Sequence, residues 1–153
     1  MNKYYLLIII FITLTGCYST VPLTSPESDK ESKIFSPPAD MSYIYILRDN
    51  WGAHHFIEVN GKSIGDLSNE TYFLLKVQPG EYKIKVGLQL SAEAKKKLGA
   101  ANIDIFTEPG HMYFLRIQTP STGFGIPAIL TVLPIGEGKK YVLKFKRAKY
   151  NFN

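Results

Sequence analysis

The chain has very little cysteine and tryptophan, one of each in 153 residues. The lone cysteine, Cys17, excludes an intrachain disulfide and a multi-cysteine metal site. Histidine is nearly as scarce: only His54, His55 and His111 occur. Adjacent strand residues point to opposite faces, so His54 and His55 cannot share one metal without a bulge. The sequence has no H-E-x-x-H and no G-x-S-x-G elbow. Gly123 and Gly125 fall in residues 121–127 with no strand-to-helix context and no following lysine, so that stretch reads as a hairpin loop rather than a phosphate cradle. No catalytic residue, metal ligand or cofactor is expected, and an enzyme is not expected.

Acid is missing from one end. Eighteen Lys and Arg face 13 Asp and Glu. From Lys139 onward there are six basic residues (Lys139, Lys140, Lys144, Lys146, Arg147, Lys149) and no acid. Residues 1–16 hold one base, Lys3, so the remaining body has 11 bases against 13 acids and is slightly acidic. The pI of about 9.2 therefore belongs to the last residues. A body built for nucleic acid would carry a basic face of its own, so nucleic acid is not an expected partner. Apolar residues, by contrast, are plentiful. They make up 45% of the chain, with ten Tyr and nine Phe, which suits a packed core made mainly of strands.

The first residues read as a targeting segment. Lys3 is followed by the apolar run from Leu6 to Leu14 and by the small residue Gly16. The run is shorter than the roughly 20 apolar residues of a membrane-spanning helix. Leu14-Thr15-Gly16-Cys17 resembles a lipobox, the processing signal of bacterial lipoproteins. The resemblance implies cleavage before Cys17, lipid on that cysteine and acylation of the new N-terminus. Several acyl chains, at roughly 0.8 kcal/mol per buried CH₂, give stable anchoring. The expected home is the cell envelope, and Tyr18 in place of Asp after the cysteine points to the outer membrane, facing the periplasm.

Residues 17–40 read as the lipidated cysteine and a flexible tether. They hold Pro22, Pro26, Pro37 and Pro38 among polar residues with no apolar period. As a coil the tether would span on the order of 25 Å. Residues 41–153 read as one β-sandwich domain with a basic C-terminal tail. Strand patterns cover 42–48, 53–59, 63–67, 72–77, 81–90, 103–106, 113–118 and 129–133. Asn60-Gly61 is a hairpin signal for a type I′ turn, and Pro79-Gly80 marks another turn. Residues 91–98 suit a short helix between Ser91 and Gly99. In 136–153, Tyr141, Leu143 and Phe145 alternate as in a strand, while Tyr141, Phe145, Ala148 and Phe152 share a helical face. Both readings stay open, with a lean toward a short basic helix.

Three segments carry a family resemblance: Phe56-Ile57-Glu58-Val59-Asn60-Gly61-Lys62-Ser63-Ile64-Gly65-Asp66-Leu67, Tyr72-Phe73, and Val77-Gln78-Pro79-Gly80-Glu81-Tyr82. With Tyr45-Ile46-Leu47-Arg48 and Tyr113-Phe114-Leu115-Arg116, they resemble the bacterial lipoprotein domain of unknown function 2846. The resemblance covers most of 42–133. It implies an antiparallel Ig-like or transthyretin-like β-sandwich of seven or eight strands with one or two short helices, and it brings no known activity.

Candidate contact residues are few. Trp51 lies in the turn Asp49-Asn50-Trp51-Gly52, where an exposed ring stacks on a sugar or anchors a protein contact. Arg48 and Arg116 lie within strands, and buried Arg needs a carboxylate, from Glu58 or Asp104 or from a ligand. Phe124 sits in the 121–127 loop, a candidate partner contact. The expected function is that of a non-enzymatic, membrane-anchored envelope module that binds a protein partner. The alternative is a lipoprotein that binds glycan or peptidoglycan. Cys17→Ser should abolish incorporation of radioactive fatty acid and block lipoprotein-type cleavage. Equal label on variant and parent refutes the lipid anchor.

Overall fold

The computed structural model describes residues 21–49, 52, 54–88, 100–119 and 128–151. The leader 1–16, Cys17, Trp51, Phe124 and the short helix expected in 91–98 lie outside the described residues. Helix α1 is Pro26–Ser32, and α2 is Ile135–Lys144. The strands are β1 (Ser42–Arg48), β2 (His55–Val59), β3 (Lys62–Leu67), β4 (Thr71–Val77), β5 (Gly80–Leu88), β6 (Ala101–Thr107), β7 (Met112–Gln118), β8 (Ile129–Leu133) and the two-residue β9 (Lys146–Arg147). They form a five-stranded sheet ordered β8-β7-β1-β4-β9 and a four-stranded sheet ordered β3-β2-β5-β6. The β-sandwich expected from the sequence is present. Most neighbours are antiparallel, but β1 runs parallel to β7, and β4 parallel to β9.

The five-stranded sheet is covered on both faces. Every residue of β1 is buried. Ile44 and Ile46 join Phe73, Leu75, Leu115 and Ile117 in the core between the sheets, with Ile57, Ile84 and Val86 opposite. Tyr43, Tyr45 and Leu47 point the other way, into a second core with Tyr72, Leu74, Phe114, Val142 and Phe145. Such two-sided burial explains why SYIYILR is apolar at almost every position, where a strand with one wet face would alternate. In this second core Tyr45 stacks on Phe114 at 4.8 Å between ring centroids. Gly138 lets α2 sit close to β7, since a Cβ there would run into the Phe114 ring. By contrast, the outer face of the four-stranded sheet is wet. Its lysines pair across strands, Lys85 with Glu58 at 3.2 Å and Lys83 with Asp104 at 4.0 Å.

The layer over Tyr45 and Tyr72 comes from the two ends of the described chain, which corrects one expectation and resolves another. First, residues 21–40 are folded rather than tethering. Val21 is buried, and Leu23 bridges to Ala148. Ser25 caps α1 through Ser28 N (3.2 Å), with Pro26 in the first turn. Phe35 packs on Tyr45 and Phe114, while Ile34 stays exposed. Second, the basic C-terminal stretch belongs to the domain. Val142, Phe145 and Ala148 are buried, and the stretch is both helix and strand. The lysines merely project from it.

A polar clasp joins the two ends. Asp29 on α1 accepts from the Tyr72 hydroxyl (2.7 Å), the Arg147 backbone N–H (3.0 Å) and Lys33 Nζ (2.7 Å). Lys33 also donates to Phe145 O at 2.8 Å, and Tyr45 donates to Ser32 O at 2.8 Å. Burial pushes the Asp29 carboxyl up, but the Lys33 and Tyr72 hydrogen bonds outweigh it and hold it below its ordinary value. Burial drives the Tyr45 and Tyr72 phenols well above theirs.

The β2–β3 hairpin has the expected turn. Asn60 and Gly61 both have positive φ, 51° and 79°. Asn60 also accepts from Lys83 N (2.8 Å) and donates its own N–H to Lys83 O (2.8 Å), which ties the turn to β5.

Two stability predictions follow from these contacts. A Cβ at Gly61 would meet nothing within 4 Å, so Gly61→Val acts through backbone strain alone and should cost about 1–3 kcal/mol in urea unfolding. An unchanged midpoint refutes the strain. The Asp29 carboxylate contributes stability above the ordinary carboxyl value of 3.8, and that contribution is lost as pH falls through its lowered folded value. Asp29→Asn should therefore destabilise by about 1–2 kcal/mol at pH 7, and the loss should shrink as pH falls below the ordinary carboxyl value and through the lowered folded one. A loss that stays constant down the whole acid range would place the effect outside the charge.

Candidate functional site

Strand register gathers the candidate residues at one end of the five-stranded sheet. Because β1 and β7 are parallel neighbours, with Arg48 beside Ile117, both leave the sheet at the same end. β8 starts there too, with Ile129 beside Gln118. Arg48, Asp49, Arg116 and Ile129, far apart in sequence, thus share one rim. The chain that leads on to Trp51 and Phe124 starts from this rim, although those two residues lie outside the described ones.

The two arginines do not form one site. Register puts Arg116 beside Leu47 on the helix-covered face and Arg48 beside Ile117 on the opposite face. Arg48 is fully buried and donates to Leu67 O at 3.1 Å. Arg116 pairs with Asp49, and its guanidinium lies 5.0 Å from the Tyr141 ring centroid. Burial would lower the Arg116 pKa, but the hydrogen bond and charge of Asp49 reverse that and raise it. The carboxylate on Arg116 is therefore Asp49 and not Glu58 or Asp104. Those two sit on the wet face of the other sheet, already facing Lys85 and Lys83.

The histidines are dispersed. His55 is fully buried, with Thr119 Oγ1 3.2 Å from Nε2. His111 is exposed beside Glu108. Among the described residues no group of three or more His, Cys, Asp or Glu could hold a metal ion. No helix among them is long and apolar enough to cross a membrane.

The chemical character of the rim comes from β8. Sheet edges present unpaired backbone groups and are normally guarded by charge, bulges or cover. β3 carries Lys62, Asp66 and a bulge at Ile57/Glu58. β6 carries Asp104. The β9 edge is covered by residues 22–24, through the Leu23–Ala148 bridge and Thr24 N donating to Arg147 O (3.0 Å). β8, Ile-Leu-Thr-Val-Leu, has no charge and no proline. Ile129 is 49% and Val132 55% exposed. Sequence reading placed β8 as a strand and missed its exposure, because edge or centre is a property of pairing and not of composition. It also missed Asp29, Ser32 and Tyr72, although Ser25-Pro26-Glu27 is a helix-start signal.

A family described as "Protein of unknown function (DUF2846)" matches residues 38–128. The chain belongs to this family. An uncharacterized protein of Haemophilus influenzae is 30% identical over 143 residues, spanning 91% of this chain and 80% of that protein. The DUF2846 match runs from just before β1 to the residue before β8, so it holds both arginines and the hairpin and leaves out α1, β8, α2 and β9. The likeness to the Haemophilus influenzae protein is longer and reaches into both helices.

Proposed function

We propose that this DUF2846 protein is a lipid-anchored component of the bacterial envelope that works by binding another protein and not by catalysis. The observation that carries the reading is the β8 edge, which has no charge or proline and, among the described residues, leaves Ile129 and Val132 exposed. Such an edge suits strand addition, in which backbone hydrogen bonds supply affinity and alternate side chains supply specificity. Arg116 and Asp49 form an ion pair beside it, which favours a rim of fixed shape over an open carboxylate receptor. The anchor reading is supported by Leu14-Thr15-Gly16-Cys17 at the end of an apolar run, with lipid on Cys17. The proposed location is the periplasmic face of the outer membrane, on the strength of Tyr18.

Site-specific photocrosslinking in intact cells tests the edge. A photoreactive residue at Val132 should give a defined protein adduct, and one at Lys83 on the charged sheet should not. Ile129→Lys should reduce the Val132 adduct by about tenfold or more, since a buried unpaired charge costs at least 1–3 kcal/mol. No adduct at Val132, or adducts equally strong at Lys83, overturns the edge as the binding surface.

A further inference from the structure

The first described residues and the basic end of the chain meet on one edge of the sheet. Lys149 N donates to Pro22 O at 2.8 Å, Thr24 N donates to Arg147 O at 3.0 Å, and Leu23 bridges Ala148. Val21, Leu23, Lys144 and Lys146 line a common cleft there, with Glu70 as its acid. We propose that this edge docks on an anionic bilayer, with Lys144, Lys146 and Lys149 reaching the headgroups and Leu23 and Leu143 touching the apolar boundary. The proposal rests on the lipid-anchor reading of Cys17.

Three observations converge on it. The first is reach. Val21 is 6% exposed and fixed in the core, and four residue steps back to Cys17 extend at most about 14 Å. Lipid on Cys17 would therefore hold this edge at the bilayer and would not let the domain drift clear of it. The second is charge. Lys83 and Lys85 face carboxylates across strands, Lys33 is held by Asp29, and Arg147 is committed to Ser28. Among the described residues Lys144, Lys146 and Lys149 are exposed and enter no ion pair, and the cleft that Lys144 and Lys146 line holds one acid, Glu70. The third is apolar content. Leu23, 44% exposed, lines the cleft with Lys144 and Lys146, and Leu143, next to Lys144 in sequence, is 58% exposed. Basic residues with apolar neighbours are what an anionic interface selects, at about 1 kcal/mol per lysine near the surface.

The test uses the full-length chain, produced in a bacterium and purified from its membranes. It is placed in nanodiscs of phosphatidylcholine alone or with added phosphatidylglycerol. Lysine acetylation is read residue by residue by mass spectrometry, which also reports whether Cys17 carries lipid. On anionic discs Lys144, Lys146 and Lys149 should be protected by about tenfold relative to neutral discs, and high salt should remove the protection. Lys62 and Lys83 should change little. Protection that ignores lipid charge, or that falls equally on Lys62 and Lys83, overturns the proposal. An unmodified Cys17 sinks the anchor reading, while charge-dependent protection of the three lysines on the same anionic discs decides the docking edge separately.

Discussion

Everything in this domain is arranged around β1, a strand buried on both faces. One face of Ser42–Arg48 is satisfied by the second sheet, as in any two-layer sandwich. The other presents Tyr43, Tyr45 and Leu47, large side chains that cannot be left wet without forfeiting roughly 1.5–3 kcal/mol each. The segments that cover them are α1 with Phe35, and α2 with Phe145. The two ends of the described chain are thus recruited by the demand of its middle. The Asp29 clasp follows from the same demand. Tyr45 and Tyr72 bring hydroxyls into this layer, and buried hydroxyls need partners. Ser32 O and Asp29 supply them, and Lys33 and Arg147 N stabilise the carboxylate in turn.

This dependence orders the domain's response to pH. The clasp holds when Asp29 is ionised and the two phenols are neutral, so its contribution is present between the ordinary carboxyl value of 3.8 and the ordinary phenol value of 10.0. Loss at the acid side weakens the tie of α1 to β4 and β9, which Ser28 and Ser32 share through Arg147 and Tyr72. The sheet-to-sheet core has no part in that tie and keeps its own apolar burial.

The sequence disclosed features whose code is local. Asn60-Gly61 needs two positive φ values, and it has them. Eight strands follow from alternation and apolar runs, and each one was found. Features that depend on which surfaces meet were not legible. Nothing in Tyr113-Phe114-Leu115-Arg116 announces a parallel partner, so the opposite facing of Arg48 and Arg116 emerged only with the register. The partner of Arg116 is Asp49, next to Arg48 in sequence, rather than a carboxylate on a more distant strand. Residues 21–40 failed as a tether for a related reason. Their attachment is made by a cap, single hydrogen bonds and scattered apolar anchors such as Val21 and Phe35, none of which produces a period. The 136–153 ambiguity was real, because the stretch changes from helix to strand at Phe145.

The two edges of the five-stranded sheet complete the argument about how such a protein would work at a membrane. Its order is β8-β7-β1-β4-β9, so β8 and β9 are four strand spacings apart, about 19 Å. The β9 edge is closed by residues 22–24, carries Lys146 and Lys149 and lies within a few residues of Cys17. The β8 edge carries no charge. An anchor that holds the first edge against headgroups turns the second away from them and into the compartment. A long flexible tether would leave that orientation to chance, and a partner strand would have to find β8 in any pose. Folding residues 21–40 onto the domain removes that freedom. The segment that looked like slack in the sequence thereby becomes, on the anchored reading, what fixes the direction in which the β8 edge is offered.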